Sequence, residues 1–435
     1  MVSMVEPGYR GIVTPGWVRD PLWQRAQRVP TLDLRFAANR SLRDAVTGRE
    51  LVTFTRASSA TVVGPTGLIE TVANDVPRFQ HDPTTGACLG LLVEEQRANS
   101  IRNNTMVGAV AGTPGTLPTN WVDNYSGTPI NGISRAIVGT GTDAGITYLD
   151  YRISGTATTG FSWNLYTEQS TVVVAANGQS WTTSAYLGLA AGSTTGITAI
   201  NLGVTEHNGS GVFLAGTVAS ASVTAGSLAT KRVTASRTFN NASTAFANLL
   251  IQLSFTNGAA IDITLRIGLP QLEQGAFVTM PILTSGTSAT RSADIATATA
   301  LGSSIRSLFA QVRGPASGTR GIIGLDDNSV SNRIELLTSG TDPKLLVTTG
   351  GSAVADLDGG TVAANVEARL AARFAADNYA ISVGGGAEVV DTAGALPAVD
   401  RIRIGALQAG NTFSGTIARL AAWDTRLESL PLVSR

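Results

Sequence analysis

The chain has two histidines, His81 and His207. A Ser-His-Asp proton relay would have to pass through one of them. His81 falls in PRFQHDPTTG, where a turn role is the stronger expectation. His207 falls in TEHNGSG, which reads as a solvated hairpin tip. The sequence contains no G-x-S-x-G elbow, no phosphate-binding glycine loop and no H-E-x-x-H. Paired carboxylates can cleave glycosidic bonds when held about 5 to 9 Å apart. Glu94 and Glu95 are adjacent, and successive residues of a strand point to opposite faces, so these two do not converge. The expectation is a protein that is not an enzyme.

Two groups of residues could bind rather than react. Asp326, Asp327 and Asn328 in GLDDNSVSN supply the oxygens a calcium ion takes, although the same run also reads as a polar turn. Saccharides are held by aromatic platforms flanked by amides and carboxylates. Trp121, Tyr125, Trp163, Tyr166, Trp181 and Tyr186 are concentrated in one stretch. Trp163 and Tyr166 are three apart in FSWNLYTEQS, so in a strand they face opposite sides and at most one belongs to a core. The other should be partly exposed beside Asn164, Glu168 and Gln169, and Trp181 is a second candidate platform. The competing reading is that all these aromatics are core packing.

The elements that must position these residues are strands. Of 435 residues, 43% are hydrophobic and 14% charged, with 48 Gly, which favours short strands joined by turns. Formal net charge is zero, so there is no chain-wide electrostatic footprint for nucleic acid. Cys88 is the only cysteine, so no intrachain disulfide can form. The first residues lack an uninterrupted apolar run of signal-peptide type, and no stretch of about 18 apolar residues occurs, so neither export by that route nor membrane insertion is expected.

Residues 1–30 read as an extended arm broken by Pro7, Pro15, Pro21 and Pro30. Trp17, Trp23, Arg19 and Arg25 give it the composition of an interface core, so it is expected to dock on a partner. Period-two alternation begins at TLDLRFA and returns in LVTFTR, and LGLLVEE reads as a buried strand. After Asn99 strand-like runs recur: GITYLDYRI, STVVVAA, SWTTSAYLGLA, ITAINLGVTE, KRVTASRTF, FANLLIQLSF and IDITLRIGLPQLE. In the last, Ile261, Ile263, Leu265, Ile267 and Leu269 are expected on one face. Residues 280–302 read as a crossing linker. RGIIGLDD, NRIELLT, KLLVTTG, NYAISVGG, DRIRIGAL and GTIARLAAWD build a second β domain. VEARLAARF fits a helix or a strand equally, and its surroundings favour a strand. The predicted organisation is all-β: arm 1–30, β-rich connector 31–100, sandwich 101–280, linker 281–302 and sandwich 303–435.

The segment from TLDLRFA to LLVEEQRANSI resembles one common in bacteriophage head spike and tail fibre proteins, and in related fibres of gene transfer agents. The matching features are TFTRAS-AT, V-GPTGLI, NDVPRFQHDPTTG and LGLLVEE-R-N. NWVDNY and GLPQLEQGAFVTMPILTSGTSATRSAD resemble the carbohydrate-binding-module-like sandwich, of jelly-roll type, that often follows, with its TR-AD linker. SLFAQVRG through LAAWDTRLESLP is similar to a concanavalin A-like, laminin-G-type sandwich. The resemblance implies a virion subunit, made in the host cytoplasm and carried on the particle surface. Its arm would dock on a capsid vertex, portal or tail protein, and its sandwiches would reach a host-surface polysaccharide. It also allows calcium in the last domain. Closed symmetry is usual at such positions, so self-association as a homotrimer is expected. Two alternatives stay open: a tail-associated glycan depolymerase or esterase, and a purely structural decoration protein.

Overall fold

The computed structural model describes residues 20–299 and 302–435, so Trp17 and Arg19 of the expected arm lie outside the described residues. The described chain is built almost wholly of antiparallel strands, as its alternating sequence predicts. Among the described residues, no helix is long and apolar enough to cross a membrane. The chain divides into two compact units, one of Phe54–Ile295 and one of Met1–Thr53 with Ala296–Arg435. The expected boundaries at 30, 100, 280 and 302 do not coincide with this division, and residues 31–100 are shared between the units.

The first unit contains a two-sheet sandwich. One sheet orders Arg232–Thr238, Ser180–Gly192, Ala260–Gln274, Ile146–Thr156 and Ile133–Asp143. The other orders Phe213–Ser220, Ile197–His207, Phe246–Phe255, Phe161–Tyr166 and Val122–Asp123, with Val173–Val174 also on Phe246–Phe255. STVVVAA thus yields only a two-residue strand. Alternation decides which side chains meet: Leu249, Ile251 and Leu253 enter the shared core with Leu202, Val204, Ile263 and Leu265. Ile261 to Ile267 follow the expected alternation, but Leu269 does not. A register shift at Ser184/Tyr186 adds a residue to the ladder, and Leu269, at φ +37°, turns to the opposite face, where it packs with Ile146, Tyr186 and Leu228.

Residues 280–295, most of the expected crossing linker, are sealed into the same unit. Ala289–Arg291 pairs with Arg97–Asn99, and Asp294 accepts hydrogen bonds from Arg56 at 3.1 Å, from Arg78, and from the Glu94 amide at 2.8 Å. Glu94 in turn accepts from Arg78 at 2.7 Å and pairs with Arg291 at 2.8 Å. All five side chains are buried. Burial pushes the Glu94 carboxyl up, but Arg291, Arg78 and the Met280 amide outweigh it and hold the group at about 2. An arginine removed from water needs most of its donors filled. Arg56 accordingly gives its other N–H groups to the carbonyls of Ser58, Ala73 and Val76.

The second unit has two further sheets. One runs Val389–Asp391, Asn378–Val383, Ala368–Ala375, Ser307–Arg313 and Gly415–Trp423, with Leu32–Leu34 also on the last strand. The other runs Ile295–Thr299, Arg401–Ile404, Thr319–Asp326, Arg333–Ser339, Asp342–Thr349 and Ser352–Asp358. The ambiguous VEARLAARF run is strand from Ala368 on.

The described end of the arm belongs to this unit and is helical, which corrects its expectation as an extended docking segment. Pro21 does not break a helix; it starts one, Pro21–Ala26, in which Asp20 caps the amides of Leu22 and Trp23. Trp23 is buried with Trp423, Leu427 and Leu430, and its Nε1 donates to Asp33 at 2.9 Å. A ring seated in its own core cannot also be an anchor for a partner. Arg25 is half-buried on the same helix. Asp33, on the side of the TLDLRFA alternation opposite Leu32 and Leu34, is buried as well, with Arg419 and Arg35 reaching it at 2.8 and 2.7 Å.

Candidate functional site

The FSWNLY run forms the strand Phe161–Tyr166, and its two aromatics separate as their spacing requires. Trp163 points between the sheets and is fully buried, its Nε1 donating to Tyr151 Oη at 2.7 Å. That hydroxyl donates to Asp123 at 2.6 Å, which also accepts from Arg135 at 2.7 Å. Trp163 therefore closes a buried polar chain and offers no platform. Trp181 is buried too, stacked on Phe239 with ring centroids 6.4 Å apart. Glu168 is buried and held by Arg102 at 2.7 Å. These three are thus corrected from ligand contacts to core residues. Tyr166 remains half-buried on the outer face, and Gln169 is exposed in the loop beyond it.

The outer face around Tyr166 has an order that strand pairing imposes. The register aligns Asn164 with Gln252, Gln252 with Asn201, and Asn201 with Ser220. One row of amides and a hydroxyl therefore crosses four strands, roughly 14 Å at the usual inter-strand spacing. Gln252 Nε2 donates to Asn164 Oδ1 at 3.0 Å, and Ser220 Oγ donates to Asn201 Oδ1 at 3.2 Å. These bonds fix the side chains; Asn164, Gln252 and Ser220 are open to solvent in part or fully, whereas Asn201 and the neighbouring Leu250 are buried. The next row aligns Tyr166, Leu250, Gly203 and Val218, which is apolar and carries one phenol. Burial pushes the Tyr166 phenol up, so it stays a neutral donor. Beyond lie His207 and Phe213, rings 6.0 Å apart and edge to face, with Phe213 54% exposed.

A polar row beside an apolar row suits a ligand with hydroxyls along one edge and C–H surface along the other. Asn201, Ser220, Gln252 and Phe213 had not been singled out in the sequence. The available signal was the polar residue at alternate positions in FANLLIQLSF and ITAINLGVTE.

The histidines are not placed as expected. His207 is not solvated: Thr205 Oγ1 lies 2.9 Å from its Nε2, and the Gly211 carbonyl 3.2 Å from its Nδ1. Burial lowers its pKa, more than the Gly211 carbonyl raises it. His81 ends the strand Arg78–His81, buried, with Nδ1 3.2 Å from the Val63 carbonyl. Glu94 and Glu95 lie just past the strand Cys88–Val93, with Glu94 buried and Glu95 paired with Arg97.

The calcium expectation meets a specific obstacle. Asp326 is buried and accepts from Arg403 Nε at 2.6 Å. Asn328 Oδ1 accepts from Arg401 and, at 3.1 Å, from Arg403. Asp327 turns away, to the Ser329 amide at 2.9 Å and the Asn332 amide at 2.8 Å. Two guanidinium groups already occupy the oxygens that a cation would need. Among the described residues, no group of three or more His, Cys, Asp or Glu side chains is arranged so that it could hold a metal ion.

No family model matches this chain. No curated protein matches it. Solved structures with similarity include the CBM40 of a Ruminococcus gnavus IT-sialidase bound to alpha2,6 sialyllactose, at 12% identity and TM-score 0.27 over 30% of this chain and 84% of that one. Mouse laminin alpha1 domains LG4-5 are similar at 12% identity and TM-score 0.21, over 57% and 82% of the two chains. The CBM22-1-CBM22-2 tandem of Paenibacillus barcinonensis Xyn10C is similar at 12% identity and TM-score 0.22, over 74% and 98%. Similarities at this level carry no argument about this chain.

Proposed function

We propose that this chain is an adhesive surface subunit of a virion, a head spike or short tail fibre, whose Phe54–Ile295 unit binds saccharide on the outer face of the Tyr166 sheet. The observation that carries the binding half is the paired row of Asn164, Gln252, Asn201 and Ser220 beside Tyr166 and Leu250. The virion half rests on the TFTRAS-AT, LGLLVEE-R-N and TR-AD resemblance. The role is binding without catalysis, since the face offers amides and hydroxyls and no pair of converging carboxylates. Docking on another virion protein falls to the segment with Trp17 and Arg19. Assembly as a homotrimer would multiply weak single sites by avidity, roughly a hundredfold or more when modules are joined.

A glycan array probed with the full chain tests the binding half. At least one saccharide should be retained by wild type and by Arg152→Ala, which alters the opposite sheet, and lost by Tyr166→Ala and Gln252→Ala. A signal unchanged in both face variants would rule out this face. Antibody labelling of particles tests the virion half, and label absent from purified particles would end it. Light scattering that finds only monomer at micromolar concentration would remove the trimer.

A further inference from the structure

The charge distribution of the sandwich narrows the ligand. The four strands that form the candidate face, Phe161–Tyr166, Ile197–His207, Phe213–Ser220 and Phe246–Phe255, contain between them one residue of the Asp, Glu, Lys or Arg type, Glu206. Glu206 does not reach the face. It is fully buried between the sheets, where Arg237 donates to it at 2.6 Å and Thr244 at 2.6 Å. Glu168, just past Tyr166, is likewise buried and held by Arg102. The opposite sheet contrasts with this. Its outer side carries Arg152 paired with Asp262 at 2.9 Å and Arg266 paired with Asp150 at 2.8 Å. The outer side of one sheet is zwitterionic, and among the described residues the four strands of the other present no charged side chain on theirs.

Resting on the sheet-face reading above, we propose that the ligand is an uncharged oligosaccharide, and that saccharides bearing carboxylate, sulfate or phosphate are excluded. Anionic groups are recognised by guanidinium forks or ammonium groups that offer charge-assisted hydrogen bonds. An amide row offers neutral N–H donors and no positive charge, so a carboxylate set against it gives up hydration for hydrogen bonds that no opposite charge reinforces. The exclusion therefore comes from an unpaired ligand charge, not from a clash. His207, at the end of the face, could gain a positive charge, and its burial disfavours that form. The row spans roughly 14 Å, more than one sugar ring covers, so affinity should rise with chain length.

The test uses calorimetric titration of the full chain with length-matched probes: neutral hexasaccharides of glucose, galactose and N-acetylglucosamine, and acidic hexasaccharides of galacturonate and of heparin. The expected result is binding to a neutral chain that lengthening strengthens, that added salt leaves unchanged, and that Gln252→Ala and Tyr166→Ala each weaken by about tenfold. Asn201→Ala serves as a further variant, with circular dichroism confirming the fold. Acidic probes should bind at least about tenfold more weakly. An acidic probe that binds best, and is lost on Gln252→Ala, would overturn the exclusion while leaving the sheet face as the site. Binding of neither class would overturn the saccharide reading itself.

Discussion

Arg56 and Asp294 lie 238 positions apart in the chain and meet at 3.1 Å, with no solvent access to either side chain. Their contact ties the first strand region of the Phe54–Ile295 unit to its last. Arg78 bridges the same Asp294 to Glu94, so four sequence segments close on one ionic cluster.

Removing Asp294 should be severe. Asp294→Ala leaves the Arg56 and Arg78 guanidinium groups buried without their shared carboxylate, which typically costs about 3–5 kcal/mol. Urea denaturation should show the loss in the transition of this unit. Asp262→Ala, at an exposed ion pair, should shift it by less than about 1 kcal/mol. Equal effects of the two variants would contradict the burial described here.

Acid should loosen the same cluster. The folded Glu94 carboxyl sits at about 2, below its ordinary value of 4.5. A depressed carboxylate contributes stability that is fully present above the unfolded value and is lost as pH falls through the folded one. Denaturant midpoints should therefore decline between pH 4.5 and 2, and Glu94→Gln should flatten that part of the profile. A wild-type curve level over this window would refute the assignment.

Trp23 should behave as a core residue. Trp23→Ala should cost about 3–5 kcal/mol in the unit that holds Trp423. Asp33→Asn, which weakens the acceptor of Trp23 Nε1, Arg419 and Arg35, should also destabilise it. Differential scanning calorimetry reads both. If Trp23→Ala melted like wild type, the ring would be free for a partner after all.

Millimolar calcium should not raise the melting temperature of the Asp326 sheet. A ligand that binds only the folded state stabilises it, but Arg403 and Arg401 already hold the oxygens of Asp326 and Asn328. A calcium-dependent rise that Asp326→Asn abolishes would show that the arginines yield to the ion.

The sequence by itself determined the β class, most strand positions and the two faces of each strand. Period two is a local property, so FANLLIQLSF could be divided into Leu249, Ile251 and Leu253 against Asn248, Gln252 and Ser254 before any partner was known. The same reasoning separated Trp163 from Tyr166. What covers a face is not local. TLDLRFA sets Asp33 on the side opposite Leu32 and Leu34, and tertiary contacts, with Trp23, Arg35 and Arg419 from 386 positions away, bury it. Only strand register brings Asn164, Gln252, Asn201 and Ser220 into one row, because neighbours in that row are far apart in the chain. The charges in TFTRAS, VPRF, LLVEE and TRSAD were visible as residues within apolar runs. Their common destination was decided by tertiary structure, since a buried guanidinium takes whichever carboxylate the closing of the chain delivers to it.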